Sequence, residues 1–143
     1  MSLGKLQQVS EGIYAYLQPD GSWHLNNTPV LETVLRPLGA RTLVPGHGPV
    51  CGPEVIDDVT AYLRFVQRTT AEAKAAGLTP LQAARQVDME EFKDLLDAER
   101  IVGNLHRAYL ELDGGERGAP VDVAQAFGDM IAYNDGRPLT CHA

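Results

Sequence analysis

The sequence predicts an α-rich α/β chain with an N-terminal β-hairpin, one further strand and a C-terminal helical bundle. Three observations carry this reading. β-Forming residues run from Gly12 to Leu17 and meet turn chemistry at Pro19-Asp20-Gly21. Apolar residues recur at helical spacing between Val55 and Ala73. Helix stop and start signals then alternate at Gly77, Thr79-Pro80, Gly114-Gly115 and Ala119-Pro120. We read residues 1–143 as a single domain, with a hairpin front (1–27), a helix–strand–loop segment (28–50) and a helical region (51–143).

In chain order, Gly12-Ile13-Tyr14-Ala15-Tyr16-Leu17 is the first expected strand, and Ser22-Trp23-His24-Leu25 is its expected return. An isolated hairpin is marginal in water, so this one must pack on something. Thr28-Pro29 opens a helix with a capping hydroxyl and proline at the first helical position. Val30, Leu31, Val34, Leu35 and Leu38 form its apolar stripe, Pro37 should end it near Arg36, and Gly39 fits the cap. A short strand is expected over Arg41 to Val44.

Gly52-Pro53 opens the clearest helix, with Val55, Val59, Tyr62, Leu63, Val66 and Ala73 on one face and Gly77 as its stop. Thr79-Pro80-Leu81-Gln82 reads as a capping box, followed by a short helix through Ala83, Ala84 and Val87. Asp88-Met89-Glu90-Glu91 repeats the capping pattern and predicts another short helix holding Phe92, Leu95 and Leu96. Asp97 is the expected cap of a helix with Ile101, Leu105, Tyr109 and Leu112, ended by Gly114-Gly115. Ala119-Pro120 opens a last helix with Val123, Ala124, Phe127, Met130 and Ile131, and Arg137 to Ala143 is an extended tail.

Composition narrows the function classes. Apolar residues make up 44% and charged residues 22% of the chain, as expected of a globular domain. The net charge of −7, with no cluster of Lys and Arg, argues against nucleic acid as a partner. No apolar run reaches the length of a membrane span, and Met1 to Lys5 lacks the pattern of a signal peptide, so a cytoplasmic location is expected. Cys51 and Cys141 are far apart and form no Cys-x-x-Cys pair, so reduced thiols are expected.

The residues with the most chemical content are Thr42-Leu43-Val44-Pro45-Gly46-His47-Gly48-Pro49-Val50. A short apolar run stops at Pro45, and a histidine follows with glycine on each side. Glycines remove Cβ bulk, so such a loop can bend sharply at the exit of a buried strand. On these residues alone the loop either presents a metal ligand or acid–base group, or is a turn that merely contains a histidine. Pro-Gly-His-Gly ahead of a long helix resembles the late metal-ligand motif of metallo-β-lactamase-fold hydrolases. Val9 through Tyr16, with Trp23 and Asn26-Asn27, resembles that family's opening strands. The stretch from Leu35 onward, including Gly103-Asn104-Leu105-His106-Arg107-Ala108-Tyr109, resembles its final strand and terminal helices. The likeness is to bacterial, particularly actinobacterial, members.

The resemblance implies a zinc-dependent hydrolase, and a fold that is a truncated form of the family's. Complete members carry a His-x-His-x-Asp-His loop, a further histidine and a bridging aspartate between these two blocks. Here Asn27-Thr28 runs almost directly into the helix before His47, and the chain has four histidines, His24, His47, His106 and His142, with no His-x-His. Only His47 carries over, as a ligand to the second metal. A catalytic zinc needs about three protein ligands and a water whose pKa it lowers. The expectation is therefore a catalytically incomplete homologue that binds no zinc stably, with its small-molecule substrate unreadable. An alternative from a different class is a non-catalytic helical homodimerisation or interaction module, because losing sheet layers exposes apolar faces and strand edges. A third reading is that the segment exists in a parent enzyme and is absent only from this sequence. Among the other residues, His24 reads as a rim histidine, His106 as structural, and Cys51 as a small buried thiol. Asp57, Asp58, Glu90, Glu91 and Asp94 read as solvated helix charges. No Gly-x-Ser-x-Gly or phosphate-cradling loop is present.

Overall fold

The computed structural model describes residues 5–17, 35–45, 48–115 and 119–140. Within them the chain is helix-rich: a two-stranded antiparallel sheet comes first and four α-helices follow the loop at 43–51.

Strands β1 (Lys5–Ser10) and β2 (Ile13–Leu17) form the hairpin. The partner of Ile13–Leu17 therefore lies upstream, which corrects the expected downstream pairing; Ser22-Trp23-His24-Leu25 falls outside the described residues. The reason is the turn. Gly12 takes φ +71°, the left-handed conformation that glycine adopts without a Cβ penalty, and it reverses the chain two residues after Ser10. Gln8 pairs with Tyr14 and Ser10 with Ile13, so Val9 is the extra residue of a bulge. β1 has only Leu6 and Val9 as apolar residues, which hides it from a composition-based reading.

The predicted helix from Thr28-Pro29 lies mostly outside the described residues. Gly39 caps as expected, with φ +61° and its N–H donated to the Arg36 carbonyl at 3.1 Å, but Pro37 does not end the element near Arg36: it sits inside a 3-10 turn, Arg36–Leu38, because proline's fixed φ suits the first positions of such a turn. The further strand at 41–44 reduces to an isolated bridge between Leu43 and Cys51.

Helix α1 (Glu54–Ala75) ends in a Schellman motif. Gly77, at φ +72°, donates to the Lys74 carbonyl, and Leu78 donates to the Ala73 carbonyl. Its buried face is rotated from the predicted stripe. Ile56, Thr60, Phe65, Val66, Thr69, Thr70 and Ala73 are buried, Val55, Tyr62 and Leu63 are half-buried, and Val59 faces solvent. Three of the buried positions are threonines, which a count of Val and Leu alone overlooks.

Helix α2 (Pro80–Gln86) starts at the capping box the sequence predicts. Thr79 Oγ1 accepts from Gln82 N at 3.2 Å, and Gln82 Oε1 accepts from Thr79 N at 2.9 Å. Thr79→Ala is expected to lower the unfolding free energy by about 1 kcal/mol, read from the urea midpoint with an unchanged m-value.

The predicted helix over 88–96 is instead one 3-10 turn, Glu90–Phe92. Asp88 Oδ1 accepts from Glu90 N at 2.9 Å, an Asx turn that competes with helix formation. Glu90 takes φ +50°, and its carboxylate receives Arg68 Nη2 at 3.1 and 3.2 Å. Phe92 then sits 5.3 Å from the Tyr62 ring and 5.1 Å from the Phe65 ring. These partners on α1 draw the segment across that helix, and Leu95 and Leu96 remain exposed.

Helix α3 (Arg100–Leu112) packs against α1, α2 and the last helix. Its N-cap is Glu99, two residues after the expected Asp97, and no side-chain cap hydrogen bond is made. A second Schellman motif ends it, with Gly114 donating to Glu111 and Gly115 to Leu110. Helix α4 (Val123–Tyr133) starts three residues later than the reading from Pro120. The Ala119 carbonyl is taken by Arg107 Nη1 at 2.5 Å, and Asp122 provides the cap, accepting from Gln125 N at 3.0 Å. Ala126 and Met130 are its buried residues, whereas Val123 and Ile131 are exposed, again about one position off the predicted face.

The core lies among the four helices. Phe65, Val66, Ala73, Ala83, Ala84, Ile101, Val102, Leu105, Ala108 and Met130 form one cluster, which no side chain described in the hairpin joins. Among the described residues no helix is long and apolar enough to cross a membrane.

Candidate functional site

The histidine loop is the place where sequence chemistry and local structure meet. Leu43 N donates to the Cys51 carbonyl at 2.8 Å and Cys51 N to the Leu43 carbonyl at 3.0 Å, so two hydrogen bonds close the loop at its base. Cys51 is half-buried, and its Sγ lies 3.7 Å from the Leu43 carbonyl oxygen as a weak donor. The base of the loop is tied to α1. Gly52 N donates to Glu54 Oε1 at 2.9 Å, and Arg36 Nη2 meets Asp57 Oδ1 at 2.6 Å. Val44 is 78% exposed, which corrects the expectation of a buried strand ending in this loop. Among the described residues a lone bridge is the segment's whole pairing, and Val44 is left on the surface. Gly46 and His47 themselves lie outside the described residues.

Among the described residues no group of three or more His, Cys, Asp or Glu side chains is arranged to hold a metal. Near the loop, the Cys51 thiol faces a backbone carbonyl, and Glu54 and Asp57 are engaged with Gly52 and Arg36. Among the described residues, then, no set of side chains fits the zinc that the family resemblance implies.

His106 is placed by α3 against α4, with Nε2 2.8 Å from Asp129 Oδ2 in a partly buried contact. It joins two helices, as the structural reading expected. His24 and His142 lie outside the described residues.

A groove that sequence reasoning did not find runs between α1, the 3-10 turn and α3. It measures about 210 Å³ and is walled by Met89, Phe92, Leu95, Leu96 and Ile101. At its polar point Asn104 Nδ2 donates to Tyr62 Oη at 2.9 Å. Burial pushes the Tyr62 phenol above its ordinary value, and the Asn104 hydrogen bond offsets part of that rise. The phenol therefore stays protonated at neutral pH and cannot act there as a base. The two residues are 42 positions apart, and nothing in the sequence pairs them.

No protein-family model, curated protein or solved structure matches this chain.

Proposed function

We propose that the chain is a catalytically incomplete homologue of the metallo-β-lactamase-fold, metal-dependent hydrolases, built on a truncated form of their fold. The observation that carries this reading is the Pro45-Gly46-His47-Gly48-Pro49 segment, whose ends are closed by the Leu43–Cys51 bridge immediately ahead of a 22-residue helix. In complete relatives the metal supplies a hydroxide that attacks an ester-like or amide-like bond. This chain's donors stop at His47, so we derive no catalytic step from it. Purified chain with added zinc is expected to hydrolyse esters, thioesters and lactams no faster than zinc in buffer. Turnover that disappears in His47→Ala would overturn the proposal.

The second reading is a non-catalytic homodimerisation or interaction module. It is favoured by one observation, the exposure of Val44, Val50, Val59, Leu95 and Leu96. Light scattering separates the two: a mass that doubles with concentration supports the module, and a strict monomer at high concentration counts against it.

A further inference from the structure

Leu95 and Leu96 stand 52% and 67% exposed beside the groove between α1, the 3-10 turn and α3, and both form part of its wall. Arg68 on Glu90 and the Phe92–Tyr62 ring contact pin their segment across α1, which keeps the two leucines outside the core. Apolar side chains held in water beside an apolar groove gain stability if another surface covers both. The groove's volume of about 210 Å³ corresponds to about seven water-sized groups at roughly 30 Å³ each. A leucine side chain has four carbon atoms, so one can enter whole.

The charges on this face leave one open pair. Glu90 is held by Arg68 and Asp97 by Arg100. Lys93 and Asp94 are both exposed, and among the described residues no ion pair or side-chain hydrogen bond engages either. Lys93 lines the groove, and Asp94 stands in the chain between it and Leu95. The nearby Asp88 and Glu91 do not line it. A lysine next to an aspartate is self-complementary, because a two-fold axis sets each sign against its opposite.

We propose that this face binds a second copy of the chain in a two-fold dimer, with Leu96 of each copy seated in the other's groove and Lys93 paired with the partner's Asp94. The inference rests on the interaction-module reading and names that module's partner and surface. Charge selects the second copy. The chain carries −7 overall, so two copies repel wherever like charges meet. A two-fold contact here instead brings opposite charges together twice, at the rim of an apolar centre. One groove and two leucines make a smaller contact than the roughly 800 Å² a side of a standard interface, so the dimer belongs to the weak, transient class, with an expected dissociation constant of about 0.1 mM.

The test is sedimentation equilibrium of the full chain, wild type and variants, from about 10 µM to about 1 mM, a range that brackets that constant. Wild type should pass from monomer to dimer. Leu96→Asp should weaken association by about tenfold or more. Lys93→Glu and Asp94→Lys each set like charges against one another twice, and each should weaken it by about fivefold or more. The double variant Lys93→Glu/Asp94→Lys exchanges the two signs and should return to within about threefold of wild type. All three side chains are exposed, so the variants keep the fold. A dimer that ignores Leu96→Asp, or a double variant as weak as the single ones, would overturn the proposal while leaving the module reading in place. A wild-type monomer at the highest concentration would overturn both. If that monomer also shows saturable amide shifts at residues 89–101 on titration with hexanoate, the groove is a small-molecule site instead.

Discussion

Leu105→Ala is expected to lower the unfolding free energy by about 3–4 kcal/mol. Leu105 is 0% exposed and sits on α3, the helix that touches α1, α2 and α4. Removing its branched end deletes contacts with several elements at once. The neighbours Ile101, Val102 and Ala108 are themselves buried on the same helix, so the site cannot close without shifting whole helices. Against a total stability of about 5–15 kcal/mol for a domain of this size, such a loss is decisive. Urea denaturation followed by circular dichroism reads it as a lower midpoint with an unchanged slope. A loss below about 1.5 kcal/mol would mean that the core collapses around the gap, and that α3 is not its centre.

Arg107 gives the second large effect, and here two substitutions should part company. Its side chain is 3% exposed. Nε donates to Glu111 Oε1 at 2.7 Å and Nη1 to the Ala119 carbonyl at 2.5 Å, while Nη2 has no partner among the described residues. Arg107→Ala strips Glu111 and the Ala119 carbonyl of their donors and leaves a void. Removing one member of a buried pair is typically worth 3–5 kcal/mol, and Glu111 keeps some water, so a loss of about 2–4 kcal/mol is expected. Arg107→Met fills the void without a charge to desolvate and also removes the orphaned Nη2. It should recover most of the stability lost in the alanine variant, leaving a deficit of about 1 kcal/mol or less. Thermal unfolding of both variants decides the matter. Equal losses would show that the carbonyl contact holding the loop before α4 outweighs packing.

The contrast between these residues also explains what could be read in advance. Gly39, Gly77, Gly114 and the Thr79–Gln82 box were legible because their hydrogen bonds close within three to five residues. The sequence window that encodes them is the window in which they act. The failures share the opposite property. The 88–96 segment gave up a helix because Arg68, 22 residues away, meets Glu90 and because Phe92 joins rings on α1. The start of α4 moved because Arg107 reaches Ala119 from another helix. The hairpin was paired the wrong way because β1 is mostly polar, so its strand character comes from its neighbour rather than its own residues. The candidate site divides along the same line. The His47 loop is a contiguous motif and could be found in the sequence, whereas the Tyr62–Asn104 pair exists only after distant elements pack.

The proposed incompleteness predicts that one glycine-flanked imidazole does not assemble a zinc site in this chain. A competition titration of zinc between the full chain and a chromogenic chelator of micromolar affinity tests it most directly. We expect the chelator to keep its zinc, with wild type and His47→Ala indistinguishable. Stoichiometric transfer of zinc to the wild-type chain, lost in His47→Ala and in at least two further single-residue variants, would contradict the account.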